Sequence, residues 1–206
     1  MQATSWTEAL DVPPGDILTD TTPHPVPGMP GRYTGLIPDA WRVMYAFGGT
    51  TMAISVRAAV AHLGRADLDP VGAEATYCAA IPCGPVAVQV ELLRDGRNGA
   101  QALVRCWAID EGDPGTGPIG NDLVVAVVLG RRNPTELAFA GSRPPKVSGP
   151  LDCPVRETTG DSPFSRIPYH HQTDFRIAMG NLRWGEQVDP GEPEAASWFR
   201  FNRSPI

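Results

Sequence analysis

Long apolar runs are missing from this chain. Hydrophobic residues make up 42% of its 206 positions, but no uninterrupted run approaches the roughly 20 apolar residues that a membrane-spanning helix needs. The first 30 residues also lack the basic start and the apolar stretch of a secretory signal. We therefore expect a soluble, cytoplasmic protein that does not bind membranes.

An excess of basic residues is missing as well. The chain carries 17 Lys and Arg residues against 23 Asp and Glu residues, which gives a formal net charge of −6. A protein that neutralises a phosphate backbone shows the opposite balance, because its affinity comes largely from Lys and Arg. Nucleic acid is therefore not an expected partner.

The sequence also lacks the cysteine spacing of a metal or redox site. Four cysteines occur, none of them in a C-x-x-C pair: Cys78, Cys83, Cys106 and Cys153. This pattern indicates reduced thiols that pack as small apolar residues. His170 and His171 follow a proline-rich stretch and are candidates for a metal ligand or a base, but packing is the simpler interpretation for them. We expect no metal and no cofactor.

Glycine and proline, with 22 residues each, cluster along the chain and mark its boundaries. Six prolines lie in 11–31 and six more in 142–168, where they remove backbone donors and interrupt helices. We interpret residues 1–30 as an irregular N-terminal arm and 31–141 as the main folded domain. A Pro-rich linker, 142–168, then leads to a further unit at 169–206.

Residues 48–63 show the spacing of a helix. Gly48-Gly49-Thr50-Thr51 supplies residues suited to a helix start. Apolar residues recur at every third or fourth position of one face: Met52, Val56, Ala59, Val60 and Leu63. The opposite face is apolar too, and Arg57 is the only Lys, Arg, Asp or Glu in the span. A helix that is apolar nearly all round is typically buried, and Gly64 is predicted to end it.

The apolar period changes to two around this helix, which is typical of strands. Strands are predicted at 32–37, 41–47, 71–81, 86–92, 99–109 and 123–129. Asp95-Gly96 predicts a hairpin, because glycine readily takes the positive φ of such a turn. The four strands after the helix predict an antiparallel meander. The expected fold class is α+β, with the sheet wrapped around the buried helix.

Three features in this order resemble a known family. Phe47-Gly48-Gly49 opens the helix, a strand ends in Ile81-Pro82, and Val90–Arg97 has the sequence VELLRDGR. Together they resemble the N-terminal repeat of the acyl-CoA thioesterase II family of double-hotdog enzymes. The resemblance covers about residues 31–131.

The resemblance continues after the linker. Two predicted strands, 174–180 and 195–202, are connected by 185–193, and the second contains a Trp-x-Arg pattern at Trp198-Phe199-Arg200. They are similar to the opening strands of the family's second repeat. We therefore expect one hotdog domain at 31–141 and an incomplete second hotdog at 169–206.

The resemblance implies a function. Family members hydrolyse acyl-CoA thioesters with an activated water, without a covalent intermediate or a cofactor, and take part in fatty acid metabolism. The family's catalytic Asp, Thr and Gln come from later parts of the second repeat, so the resemblance assigns no catalytic residue here. The alternative is a non-catalytic subunit that binds acyl groups or acyl-CoA.

The helix start supplies candidate binding residues. Gly48 and Gly49 allow the backbone to approach a ligand closely. The amides of Thr50 and Thr51 direct the positive end of the helix dipole towards an acyl carbonyl. Tight packing of the helix on the sheet explains the two glycines equally well.

Charged residues supply further candidates. Arg94 and Arg97 are suited to contact a CoA phosphate or the polar end of an acyl group, although a solvated hairpin turn is the simpler interpretation. Glu74 is a weak candidate for the general base. A single hotdog leaves a sheet edge and an apolar face uncovered, so a homodimer or higher oligomer is expected.

Overall fold

The structure is a computed structural model that describes residues 14–132, 145–156, 162–180 and 194–203. None of the helices in these segments is long and apolar enough to cross a bilayer. The first thirteen residues of the predicted arm and the predicted connection 185–193 lie outside the described residues.

Six strands form the larger sheet. They are β1 (His24–Pro25), β2 (Arg32–Ile37), β3 (Asp69–Tyr77), β4 (Gly84–Asp95), β5 (Gly99–Ala108) and β6 (Leu123–Gly130). Their order across the sheet is β1-β2-β4-β5-β6-β3, and each neighbouring pair is antiparallel. The predicted antiparallel sheet is therefore confirmed.

The position of β3 differs from a simple meander. Ala73 lies opposite Val127 and Ala75 opposite Val125, so β3 pairs with β6, while β4 pairs with β2 and β5. The predicted meander is wrong for β3, because its partner follows much later in the chain. As a result β3 forms one edge of the sheet.

Helix α2 (Gly48–Leu63) packs across this sheet and contacts β2 to β6. Ile54, Ser55 and Ala58 are fully buried. Gly64, with a φ of +65°, ends the helix in the left-handed conformation, which glycine adopts without strain. The prediction of a buried helix that ends at Gly64 is confirmed.

The buried face of α2 is not the one that apolar spacing predicts. Thr50, Thr51 and Ser55 are buried. Their hydroxyls donate to carbonyls of the same turn at 2.6, 2.9 and 2.8 Å, which satisfies them without an outside partner. Four residues of the predicted face are only partly buried: Met52, Val56, Val60 and Leu63. Apolar spacing does not predict the buried face of α2, because it counts Thr50, Thr51 and Ser55 as polar.

The core lies between α2 and the inward faces of β4, β5 and β6. Alternate residues of these strands are at most 3% exposed, as the period of two predicts. They are Val86, Val88, Val90, Ala100, Ala102, Val104, Cys106, Leu123, Val125, Val127 and Leu129.

Residues 41–47, predicted as a strand, form a tight loop instead. Asp39–Trp41 is a short 3-10 helix, and a single bridge pairs Arg42 with Ala46. Trp41 is fully buried, whereas Met44 at the loop tip is 82% exposed. The predicted strand is therefore wrong, because the backbone turns back on itself at the exposed tip, where Arg42 and Ala46 lie opposite each other.

A second, smaller sheet contains two antiparallel strands, β7 (Thr173–Met179) and β8 (Ala196–Phe201), and follows helix α3 (Pro168–His171). These strands confirm the prediction for 174–180 and 195–202. The Phe201 ring packs edge-on against the ring of Trp41 at 5.6 Å between centroids. The smaller sheet thus rests on the loop that leads into α2.

The predicted arm and linker contain ordered pieces. Helix α1 (Ile17–Asp20) and β1 lie within 1–30, and short 3-10 helices lie at Pro150–Asp152 and Pro163–Arg166. The amide of Gly15 donates to Gln172 Oε1 at 2.7 Å, which connects the arm to the segment after the linker. The division of the chain at residues 30, 141 and 168 stays a prediction.

Candidate functional site

The first turn of α2 leaves two backbone amides free. The carbonyl of Phe47 accepts the amides of Thr50 at 2.9 Å and Thr51 at 3.4 Å. Within the described residues, no acceptor faces the amides of Gly48 and Gly49. The amides of Thr50 and Thr51 already donate within the helix, so the amides of Gly48 and Gly49 are the ones available to a ligand.

Close packing also requires both glycines. A Cβ at Gly48 would lie 2.9 Å from the hydroxyl oxygen of Tyr77, and a Cβ at Gly49 would overlap the ring of Phe47. The Tyr77 hydroxyl donates to the Gly48 carbonyl at 2.7 Å. The packing interpretation of the two glycines is therefore supported, and their role towards a ligand stays a proposal.

A cleft of about 400 Å³ opens beside this turn. It is bounded by the loop before α2, the first turn of α2, the end of β3 and the residues that follow β3. The lining residues are Tyr45, Ala46, Gly48, Thr51, Tyr77, Cys78, Ala79, Ala80 and Ile81. Small and apolar groups with a few hydroxyls suit an acyl group better than a charged one.

Glu74 does not reach this cleft. It is exposed on β3, one residue before Ala75, which packs against the core. Successive strand residues point to opposite faces, so Glu74 faces away from α2. The cleft-lining residues of the described segments contain no carboxylate and no imidazole.

His170 and His171 are used in the packing of α3. His170 Nδ1 accepts a hydrogen bond from Arg156 Nη2 at 2.8 Å, and His171 Nε2 donates to the Ser165 carbonyl at 2.9 Å. Burial and the Arg156 charge, together with the neighbouring His171, lower the pKa of His170 to about 4. Packing, as the sequence suggested, explains both residues.

Two of the four thiols are less acidic than an ordinary cysteine. Burial raises the pKa of Cys106 to about 12 and that of Cys83 to about 11, so both stay protonated at neutral pH. Cys78 lines the cleft and is exposed. In the part of the chain that the structure describes, no three His, Cys, Asp or Glu side chains form a group that could hold a metal ion.

Arg94 and Arg97 lie at the other end of α2. They flank the β4–β5 hairpin, and Arg65, which follows the helix, donates to Asp95 and to the Gly96 carbonyl, each at 2.7 Å. Sixteen residues separate the two ends of α2, a rise of about 24 Å. The structure therefore groups Gly48, Gly49, Thr50 and Thr51 in one place and Arg94 with Arg97 in another.

The hairpin forms where Asp95-Gly96 predicts it, with different geometry. β4 ends at Asp95, and the Gly96 amide donates to the Gly99 carbonyl at 2.9 Å. Gly96 has no positive φ, so the predicted reason for glycine here is wrong. Hydrogen bonds from Arg65 hold the turn in its place.

Sequence reasoning missed two residues of these sites, Tyr77 and Arg65. Tyr77 shares the inward face of β3 with Ala75, and the period of two could have placed it towards the helix. No local pattern indicates the partners of Arg65, because they lie about 30 residues further along the chain.

Comparison with known proteins shows what the region of the larger sheet is similar to. Residues 37–129 match the family model of the acyl-CoA thioesterase N-terminal domain. No curated protein matches the chain significantly. A conserved hot dog fold protein from Alicyclobacillus acidocaldarius is similar in structure, with a TM-score of 0.70 and 18% identity, over 90% of this chain and 62% of that chain.

Two mycobacterial structures are also similar. The acyl-CoA thioesterase II TesB2 of Mycobacterium marinum has a TM-score of 0.61 and 16% identity, over 92% of this chain and 61% of that one. The tesB protein of Mycobacterium avium subspecies paratuberculosis has a TM-score of 0.60 and 16% identity, over 92% and 62%.

The chain thus spans less than two thirds of the length of these three proteins. At such low identities the structures establish the fold, and the sequence match covers 93 of the 206 residues. The larger sheet and α2 form a hotdog fold, and residues 37–129 match the model of the acyl-CoA thioesterase N-terminal domain.

Proposed function

We propose that this protein binds acyl-CoA thioesters at the first turn of α2 and hydrolyses them with an activated water, without a covalent intermediate. The observation that carries the proposal is the pair of free amides at Gly48 and Gly49 beside the apolar cleft. Charge builds on the thioester oxygen during attack, and two fixed amides stabilise it. The family of segment 37–129 supports the same substrate class.

One observation favours a second function, binding without catalysis. Water has to be deprotonated before it attacks a thioester, and the described residues that line the cleft contain no carboxylate or imidazole for that task. Hydrolysis therefore needs a general base that is not among the described residues lining the cleft. A non-catalytic subunit that binds acyl groups or acyl-CoA needs only the cleft and the amides.

Substitution of Gly48 tests the role of its amide. Gly48→Pro removes the N–H and suits the first position of a helix, and Phe47 already has the extended ψ of 126° that a residue before proline needs. Gly48→Ala is the matched control, because it adds the same Cβ next to Tyr77 but keeps the N–H. If the protein hydrolyses acyl-CoA, we expect kcat to fall about 100-fold in Gly48→Pro relative to Gly48→Ala.

Two measurements separate the functions. Free thiol release is followed over a panel of acyl-CoA chain lengths, and calorimetry measures the affinity for a ketone analogue in which a methylene replaces the sulfur. Turnover supports hydrolysis, and analogue binding without turnover selects the non-catalytic function. No turnover and no binding contradict both, and equal effects of the two substitutions contradict the role of the Gly48 amide.

We also propose self-association, at least to a homodimer. β3 forms one edge of the sheet, and Val71 and Tyr77 on it are 60% and 53% exposed. An exposed strand edge is a site for pairing with another strand. Native mass spectrometry at micromolar concentration should show a dimer or larger species, and a monomer alone would contradict the proposal.

The proposed function also includes a cytoplasmic location and a part in fatty acid metabolism.

A further inference from the structure

A second cleft, of about 320 Å³, lies along the β4–β5 hairpin. Arg94 and Arg97 border it, with Asn98 and Gln101 as further polar residues. All four side chains carry N–H donors, and the described residues that line the cleft include no carboxylate. Its chemistry is therefore different from that of the cleft beside α2, which is apolar with hydroxyls.

The aspartates near this cleft form ion pairs with arginines other than Arg94 and Arg97. Asp95 pairs with Arg65 at 2.7 Å. Asp67 pairs with Arg65 at 2.9 Å and with Arg131 at 2.6 Å, and these two hydrogen-bonding guanidinium groups hold the pKa of Asp67 well below its usual range. Both carboxylates are already paired with arginines.

Arg94 and Arg97 have no such partner. Within the described residues, neither forms an ion pair with Asp or Glu. The hairpin residues Arg94, Asp95 and Arg97, together with the ion-paired residues Arg65, Asp67 and Arg131, comprise four arginines and two aspartates. The whole chain, in contrast, has a net charge of −6. A local cationic excess on an acidic protein marks a place that attracts anions.

The backbone of the turn is held before any ligand arrives. Arg65 donates to the carbonyls of Gly96 at 2.7 Å and Arg97 at 2.9 Å. Its own guanidinium is fixed by two hydrogen bonds to Asp67, at 3.1 and 2.9 Å. Less conformational freedom of the backbone is lost on binding when a site is already ordered.

We propose that this cleft binds the phosphate groups of a nucleotide, through the side chains of Arg94 and Arg97. The guanidinium fork matches phosphate oxygens in pairs and stays charged at every physiological pH. The site is independent of the proposed thioester site, because the length of α2, about 24 Å, separates them. The phosphates come either from the nucleotide end of CoA or from a free nucleotide.

Calorimetry with the full chain tests this proposal. The probes are ADP, CoA and an acyl-pantetheine thioester, which has no phosphate. We expect the affinity for ADP to fall about tenfold or more in the double variant Arg94→Ala/Arg97→Ala. The matched control is Arg105→Ala, on the outward face of β5 and paired with Glu91 at 3.4 Å, which should leave ADP binding unchanged. Binding should weaken between about 50 and about 200 mM salt.

Each outcome has a defined meaning. Unchanged ADP affinity in the double variant, or no binding of ADP and CoA at millimolar concentration, would overturn the proposal. A loss that Arg94→Lys/Arg97→Lys partly restores supports it, because lysine keeps the charge and loses the paired geometry. Displacement of ADP by CoA identifies the coenzyme as the phosphate source, and ADP binding without displacement identifies a free nucleotide. If acyl-pantetheine fails to bind while ADP binds, the thioester proposal fails alone.

Discussion

The imidazole of His170 lies next to a cation and an aromatic ring. It accepts a hydrogen bond from Arg156, whose guanidinium stacks between Phe164 and Phe175 at 4.6 and 4.2 Å from the ring centroids. Phe164 also meets the imidazole edge-on at 4.9 Å. Arginine can only donate, so this arrangement needs the neutral form of His170.

Stability should therefore depend on pH through His170. The pKa of the group is about 4 in the folded protein and about 6.5 in the unfolded chain. Between these values the unfolded chain binds the extra proton, so the free energy of unfolding should fall as the pH falls from about 6.5 towards about 4. Urea unfolding at about pH 7 and about pH 5 measures the change.

Two variants control this measurement. His170→Gln removes the titrating group and keeps an acceptor for Arg156, so it should lose less stability between the two pH values than the parent protein. His24→Gln, at an exposed position of β1, should behave like the parent. The same loss in His170→Gln as in the parent would show that another group is responsible.

At the scale of elements, α2 lies so close to β2 that one position has no space for a side chain. A Cβ at Gly35 would overlap Cδ1 of Ile54, which is fully buried. We expect Gly35→Ala to lower the free energy of unfolding by about 1 to 3 kcal/mol, since overpacking forces side chains or backbone to move. Chemical denaturation measures the change.

Gly72→Ala is the matched control, because a Cβ at this strand position has open space around it. Ile54→Val removes the overlapping atom and should cost about 0.5 to 1.5 kcal/mol alone. Combined with Gly35→Ala, it should cost less than the sum of the two. Strict additivity in this double-mutant cycle would contradict the contact.

Elements that follow from local chemistry could be predicted from the sequence. The bounds of α2 and of β2, β5 and β6 are predicted within about two residues, because periodicity and the adjacent Gly and Pro residues define them. The partner of β3 could not be predicted, since pairing with β6 depends on residues about 50 positions away. The loop at 41–47 is predicted as a strand because its apolar residues recur with a period of two, a spacing that a loop can also have.

The sites follow the same division. Gly48-Gly49 could be singled out, because the two residues are adjacent and open a helix. The contact of Tyr77 with Gly48 crosses 29 residues and has no sequence signature. The sequence also does not predict that Arg94 and Arg97 lie far from the start of α2. That separation depends on the direction in which the helix crosses the sheet.

For the whole molecule, Trp41 is the contact point of three segments. Its indole Nε1 donates to Asp20 at 2.7 Å, its ring packs against Phe201 of β8, and Gly15 lies against the same ring. Trp41 also belongs to the buried cluster that contains the core residues of the larger sheet, so the arm, the larger sheet and the smaller sheet share one buried side chain.

Replacement of Trp41 should weaken the contacts between the arm, the larger sheet and the smaller sheet. We expect Trp41→Ala to lower the free energy of unfolding by about 3 to 5 kcal/mol and to increase amide hydrogen exchange in β7 and β8. Denaturation and exchange mass spectrometry measure the two effects. Met44→Ala, at the 82% exposed loop tip, is the control and should change neither. Normal exchange in β7 and β8 of Trp41→Ala would show that the smaller sheet is held by other contacts.

The two rims of the larger sheet differ in length, and this difference limits how copies can polymerise. The rim at β3 has nine residues, whereas β1 on the opposite rim has only two. A fibre grows only if each added copy presents a new long edge, and β1 is too short to do so. Pro70, which has no N–H, and the bulge that follows it also disturb the pairing pattern of β3. Association through β3 should therefore stop at a closed pair and should not continue into a fibre.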